Sequence, residues 1–109
     1  MEMKNIPFWV TDWNQVEKVE YKGEKGFASW RTKQFDDIRV RFVEYSPGYV
    51  SNHWCEKGHI LLCLEGELQT ERKDGRKHIL KAGMSYQVAD NDLAHRSSTT
   101  TGAKLFIVD

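Results

Sequence analysis

The chain has 109 residues, 16 basic and 16 acidic side chains and a formal net charge of zero. That length suits a single domain over residues 1–109, and a chain of this size buries about two thirds of its unfolded surface, enough for a core without disulfides. A hydrophobic fraction of 39% excludes a low-hydrophobicity disordered chain. The balanced charge argues against nucleic-acid or anionic-membrane partners, which need clustered cations.

Phe8, Trp9 and Trp13 form an aromatic cluster whose plainest reading is core. Cover for a barrel end and a subunit contact are the alternatives. Thr11 or Asp12 is placed to cap a short helix through Trp13 and Val16. From residue 38 onward the dominant period is two, broken by frequent turn signals, which predicts an antiparallel all-β domain. Ile38 to Tyr45 reads as a strand with Ile38, Val40 and Phe42 on one face, ended by Ser46-Pro47-Gly48. A second strand runs through Val50 to Cys55, and Glu56-Lys57-Gly58 reads as a tight turn into His59 to Leu64. The last run is apolar on both faces, as in a strand inside a closed barrel or sandwich. Asp74-Gly75 is a hairpin signal between Glu67–Arg72 and Arg76–Leu80, because both turn positions tolerate positive φ. Strands over Met84–Val88, His95–Thr99 and Lys104–Val108 complete the chain, with loops at Lys81-Ala82-Gly83 and Asp90–Asp92. At least eight short strands fit a sandwich, a jelly roll or a small barrel, and periodicity does not choose among them.

Met1 to Val10 carries no signal-peptide pattern, and no run of about 18 apolar residues occurs, so no membrane span is expected. Two cysteines, Cys55 and Cys63, are too few for a disulfide scaffold. The expectation is a cytoplasmic protein with both thiols free.

Four histidines occur: His53, His59, His78 and His95. Residues i and i+2 of a strand share a face, which puts His53 and Cys55 together. If 56–58 is a three-residue hairpin loop, Cys55 lies opposite His59, and opposed residues also share a face. His53, Cys55 and His59 then converge, with His95 as the candidate fourth from a later strand. Imidazole and thiolate are ligands for zinc, copper, nickel or iron. Taken singly, each of these residues would more often be structural, since cysteine commonly serves as a small buried hydrophobe. His78 sits in a charged arm and reads as solvated.

From about Ile38 to Val108 the residues resemble a small single-domain cupin. The first cupin motif, Gly-x5-His-x-His-x3-4-Glu-x6-Gly, is matched by Gly48, His53, Cys55, His59 and Gly66, with the first gap one residue short. The second, Gly-x5-Pro-x-Gly-x2-His-x3-Asn, is matched by Gly83, Ala89, Asn91, His95 and Thr99, one residue long before His95. Asn52-His53-Trp54-Cys55 is similar to the signature of a cupin group labelled for Asp-His-Cys-Trp. The resemblance implies a double-stranded β-helix, or jelly-roll barrel, with a short N-terminal extension. It also implies a divalent transition metal (zinc, iron, nickel or copper) held by His53, Cys55, His59 and His95. Cys55 stands at the place of the second histidine and His59 at that of the glutamate, so the usual carboxylate is missing. If Cys55 binds, four protein ligands could close the site; if it does not, three imidazoles leave a position open.

The fold does not transfer a reaction. Three functions compete: a metal-dependent enzyme acting on a small polar metabolite, a non-catalytic module binding a small molecule or metal, and a protein whose histidines and cysteines are merely structural. Tyr86, Gln87 and Trp54 are candidate supporting groups around the site. A homodimer is the expected assembly, as cupins commonly pair through their sheets.

Overall fold

The computed structural model describes residues 3–109. Among them are one 3₁₀ turn (Trp13–Gln15) and eight strands: β1 (Lys18–Lys22), β2 (Phe27–Phe35), β3 (Ile38–Tyr45), β4 (His59–Arg72), β5 (Lys77–Lys81), β6 (Ser85–Val88), β7 (His95–Ser98) and β8 (Ala103–Val108). The order is β1-β2-β3-β8-β4-β5, with β6 and β7 also paired to β4, and every ladder is antiparallel.

The 14 residues of β4 serve two layers. Residues 59–62 pair with β6 and β8, whereas residues 67–72 pair with β5 and β7. The strand turns the corner at a register shift between Cys63 and Glu65, followed by Gly66 at φ 79. Any side chain at Gly66 would take a left-handed backbone and drive its Cβ into the Gly102 carbonyl oxygen.

Cross-strand register shows what the barrel encloses, because directly opposed residues share a face. One inward layer runs Trp30, Val43, Leu105 and Cys63 across four strands. Val43, Leu105 and Cys63 are fully buried there, and Leu61 and Leu68 join them in the core. Each such aliphatic side chain contributes about 1.5–3 kcal/mol by leaving water. The next layer runs Thr32, Arg41, Ile107, Leu61 and Tyr86. On the facing sheet the inward row of β4 goes from Leu68 to Thr70 to Arg72. Hydrocarbon therefore gives way to hydroxyl, imidazole and guanidinium at one end of the barrel.

β3 has the predicted bounds, and Asp74–Gly75 does lie in a hairpin. Only Gly75 takes positive φ, and the Arg72–Arg76 bond encloses a three-residue loop, so the turn is the type that ends in a left-handed glycine. Asp12 caps the 3₁₀ turn, its carboxylate accepting from the Asn14 N–H at 3.1 Å. Arg31 holds that turn on the sheet by donating to the Trp13 and Val16 carbonyls at 2.9 and 2.8 Å.

Several expectations are corrected. The run 50–55 is not a strand; it makes only isolated bridges, Val50 to Lys25 and Ser98, and Cys55 to His95. Residues 56–58 are not a hairpin turn either. Gly58 packs against the Val88–Asp90 backbone, donating to the Asp90 carboxylate at 2.7 Å, and the Asn91 N–H reaches Glu56 at 2.9 Å. The aromatic cluster is not core as a whole: Phe8 is 94% and Trp9 61% exposed, while Trp13 packs on Phe42 and Phe106. Val40, Phe42 and Ile60 lie on the outer face of the sheet, which explains why the 59–64 run is apolar on both sides.

Candidate metal centre

His59 begins β4 and His95 begins β7, at the polar end of the barrel. Cys55 reaches the same end from an irregular segment stitched to β7: its N–H donates to the His95 carbonyl at 2.8 Å, and the His95 N–H to the Cys55 carbonyl at 3.0 Å. The ligand atoms of Cys55, His59 and His95 all lie within 4.8 Å of one another. The two imidazoles meet edge to face with centroids 4.9 Å apart.

Each imidazole has one buried nitrogen left over. His59 Nε2 is 2.8 Å from the Tyr86 hydroxyl, and its Nδ1 is buried with no hydrogen-bond partner. The His95 ring lies beside the Leu93 backbone, and its Nε2 is likewise buried and unpartnered. Buried polar atoms are rarely left unpaired, so two orphaned imidazole nitrogens beside a thiol need an explanation. A metal supplies one. Ligand atoms around a tetrahedral ion at about 2.0–2.3 Å stand somewhat over 3 Å apart, so the cluster needs only a small contraction to close on it.

Electrostatics suits that use. Burial, and then the neighbouring His95, push His59 down to about 4; burial also lowers His95. Both rings are therefore neutral near pH 7, the form that coordinates. Burial pushes the Tyr86 phenol up, keeping it protonated. On the β3 side, Arg39 grips Asp109 through two hydrogen bonds (3.0 and 2.7 Å) and Arg41 reaches the same carboxylate at 3.3 Å.

His53 is not brought into the cluster. It is exposed, and its Nδ1 lies 3.1 Å from the Asn52 side-chain oxygen. The strand alternation that put His53 beside Cys55 fails because residues 51–54 form a bend and no strand. Convergence of Cys55 with His59 also arises differently than the hairpin argument expects: Cys55 opposes His95, and His59 pairs with Val88 of β6. Of the supporting candidates, Tyr86 faces inward onto His59. Trp54 is clamped between Lys73 and Arg96, 4.1 and 4.7 Å from its ring, and Gln87 accepts from Ser85 at 3.2 Å. The Leu93 contact and the inward turn of Arg72 carry no sequence signal of their own; only the register of β4 with β7 exposes the latter.

No family model and no curated protein matches the chain. Solved structures do. A protein described as a predicted oxalate decarboxylase from Thermotoga maritima superposes with a TM-score of 0.77 at 17% identity, over 92% of this chain and 96% of that one. An RmlC-like cupin from Shewanella frigidimarina gives 0.72 at 19% identity, over 95% and 91%. Ectoine synthase from P. lautus gives 0.74 at 15% identity, over 93% and 76%. The fold is that of a cupin. Such neighbours include enzymes and proteins of unassigned activity, so the likeness carries architecture and leaves the chemistry to the site. In this chain a Cys-His-His group that can hold a metal ion occupies the polar end of the barrel. No helix of the described residues is long and apolar enough to cross a membrane.

Proposed function

We propose that this protein is a metal-dependent cupin enzyme acting on a small polar metabolite, with Cys55, His59 and His95 as the metal ligands. The single observation that carries the reading is the pair of buried, unpartnered nitrogens, His59 Nδ1 and His95 Nε2, beside the Cys55 thiol. Sequence counting left four ligands if Cys55 binds. With His53 outside the cluster the count is three, the number found in catalytic zinc sites that keep a position for substrate. A divalent transition metal bound there supplies Lewis-acid polarisation of a substrate oxygen. The thiolate favours zinc or copper over magnesium or manganese.

The chain's own groups prepare the site. For the Nδ1 lone pair of His59 to be free, the ring proton sits on Nε2, from which it donates to the Tyr86 oxygen and fixes the ring. The paired Cys55–His95 backbone holds the thiol and the second imidazole side by side. Tyr86 keeps its own proton at the cavity wall. The cavity between Tyr86, His95 and Thr70 gives a metabolite access.

Elemental analysis of protein purified without chelator or nickel resin tests the reading. About one zinc, copper, nickel or iron per chain is expected, lost in His59→Ala and in His95→Ala. A wild-type protein that holds none, and takes up none on titration, contradicts it.

The remaining parts of the proposal concern setting. An apolar groove of the outer face, lined by Trp9, Ile60, Phe106 and Val108, supports a homodimer through that face. The two free thiols support a cytoplasmic location. Kinship with the Asp-His-Cys-Trp group rests on the 52–55 segment, which delivers one of the three ligands.

A further inference from the structure

The cavity beside the cluster has a charge of its own. Its volume is about 190 Å³, lined in part by Thr70, Arg72, His78, Tyr86, Asp92 and His95. That equals the liquid volume of about six waters, room for a metabolite of a few carbons. Register explains the lining. Arg72 lies directly opposite His95, and Thr70 opposite His78, so all four share the inward face.

Arg72 is the one arginine or lysine in that wall, and its side chain is three-quarters buried. Its only side-chain partner among the described residues is Asp92, with Nη2 at 3.5 Å, the outer limit of a contact. The same Asp92 oxygen already accepts the Leu93 N–H at 2.7 Å, and that carboxylate is half exposed. Asp92 thus shapes the loop and leaves most of the Arg72 fork unused. Thr70 Oγ1 lies beside the Tyr86 phenol without meeting hydrogen-bond geometry, and it is buried and unpartnered. A largely buried arginine with idle donors, next to an unpartnered hydroxyl and opposite His95, is suited to a planar anion.

We infer that the cavity takes a small carboxylate, anchored by Arg72 through paired N–H···O bonds while its other end lies toward Cys55, His59 and His95. The assignment rests on the metal-site reading for the position of the reacting end, and on Arg72 alone for the charge. Its consequence is a substrate class: short-chain organic acids, with neutral isosteres rejected. His78, which the sequence placed in a solvated arm, becomes part of the wall.

Calorimetric titration with succinate, and with the uncharged succinamide of the same shape, tests this on zinc-titrated and metal-free full-length protein. Wild-type protein is expected to bind succinate at least about tenfold more tightly than succinamide. Arg72→Gln should abolish that preference, and Arg72→Lys should restore part of it, which separates lost charge from a damaged fold. Elemental analysis of the same samples reports the metal independently. Protein that takes up no zinc yet prefers succinate through Arg72 keeps this inference and loses the metal reading. Protein that holds zinc but binds both ligands alike, or binds succinate unchanged in Arg72→Gln, overturns this inference and keeps the metal reading. Protein that does neither overturns both.

Discussion

Tyr86→Phe isolates the support given to one proposed ligand. The substitution keeps the ring, which packs against the hydrophobic core, and deletes only the hydroxyl 2.8 Å from His59 Nε2. A buried imidazole N–H then loses its acceptor, a loss of about 1–3 kcal/mol. At 1.4 kcal/mol per decade this is about a ten- to hundredfold fall in metal affinity, the range typical for removing a group that orients a ligand histidine. Zinc affinity measured by competition with a chromophoric chelator should fall by that factor. Urea unfolding of the metal-free protein should change by less than about 1 kcal/mol, since the unligated ring is free to change tautomer and orientation, and only the difference between the two states reaches the metal affinity. Zinc affinity within about twofold of wild type would refute the claim that Tyr86 fixes His59.

Other perturbations address the scaffold and the excluded ligand. Asp109→Ala strands the buried Arg41 and should cost about 3 kcal/mol, since the carboxylate side chain is only 1% exposed. Burial opposes ionisation of Asp109, but the Arg39 hydrogen bonds and the Arg41 charge hold its carboxyl below the usual carboxylate range. Its contribution is therefore complete above pH of about 4 and vanishes as pH falls through the depressed value. The wild-type and Asp109→Ala unfolding midpoints should converge in acid, and a constant gap would count against the network. Gly66→Ala should destabilise the protein by at least about 2 kcal/mol in thermal or urea unfolding, because the corner backbone is left-handed and blocked by Gly102. His53→Ala should leave the metal stoichiometry unchanged, read by elemental analysis. Ile60→Lys should shift sedimentation from dimer to monomer if the outer apolar face is the subunit contact, while leaving metal content intact.

Legibility from sequence followed the strength of alternation. β3 and the 76–88 region could be read because apolar residues recur at period two and glycines mark the breaks. β1 and β2 could not, for Lys18–Lys22 is exposed at every position and Phe27–Phe35 buries only Ala28. The site is legible in its residues and hidden in its geometry. His59 and His95 begin strands, as alternation predicts, but Cys55 arrives on a non-strand segment whose shape comes from a bridge to β7. Local alternation cannot describe such a segment, and it puts His53 beside Cys55 although the backbone bends at residues 52–53. Arg72 was hidden for another reason: only its register opposite His95 turns a residue of a charged hairpin arm into the wall of a cavity.

Cobalt(II) substitution offers the most direct measurement of the central claim, because it reports metal, thiolate and coordination in one spectrum. The protein loaded with one equivalent should show a thiolate-to-cobalt charge-transfer band in the near ultraviolet. That band should disappear in Cys55→Ser while cobalt remains bound, and cobalt binding itself should be lost in His59→Ala and His95→Ala. A cobalt spectrum with no thiolate band, or one unchanged in all three variants, would contradict a metal centre built from Cys55, His59 and His95.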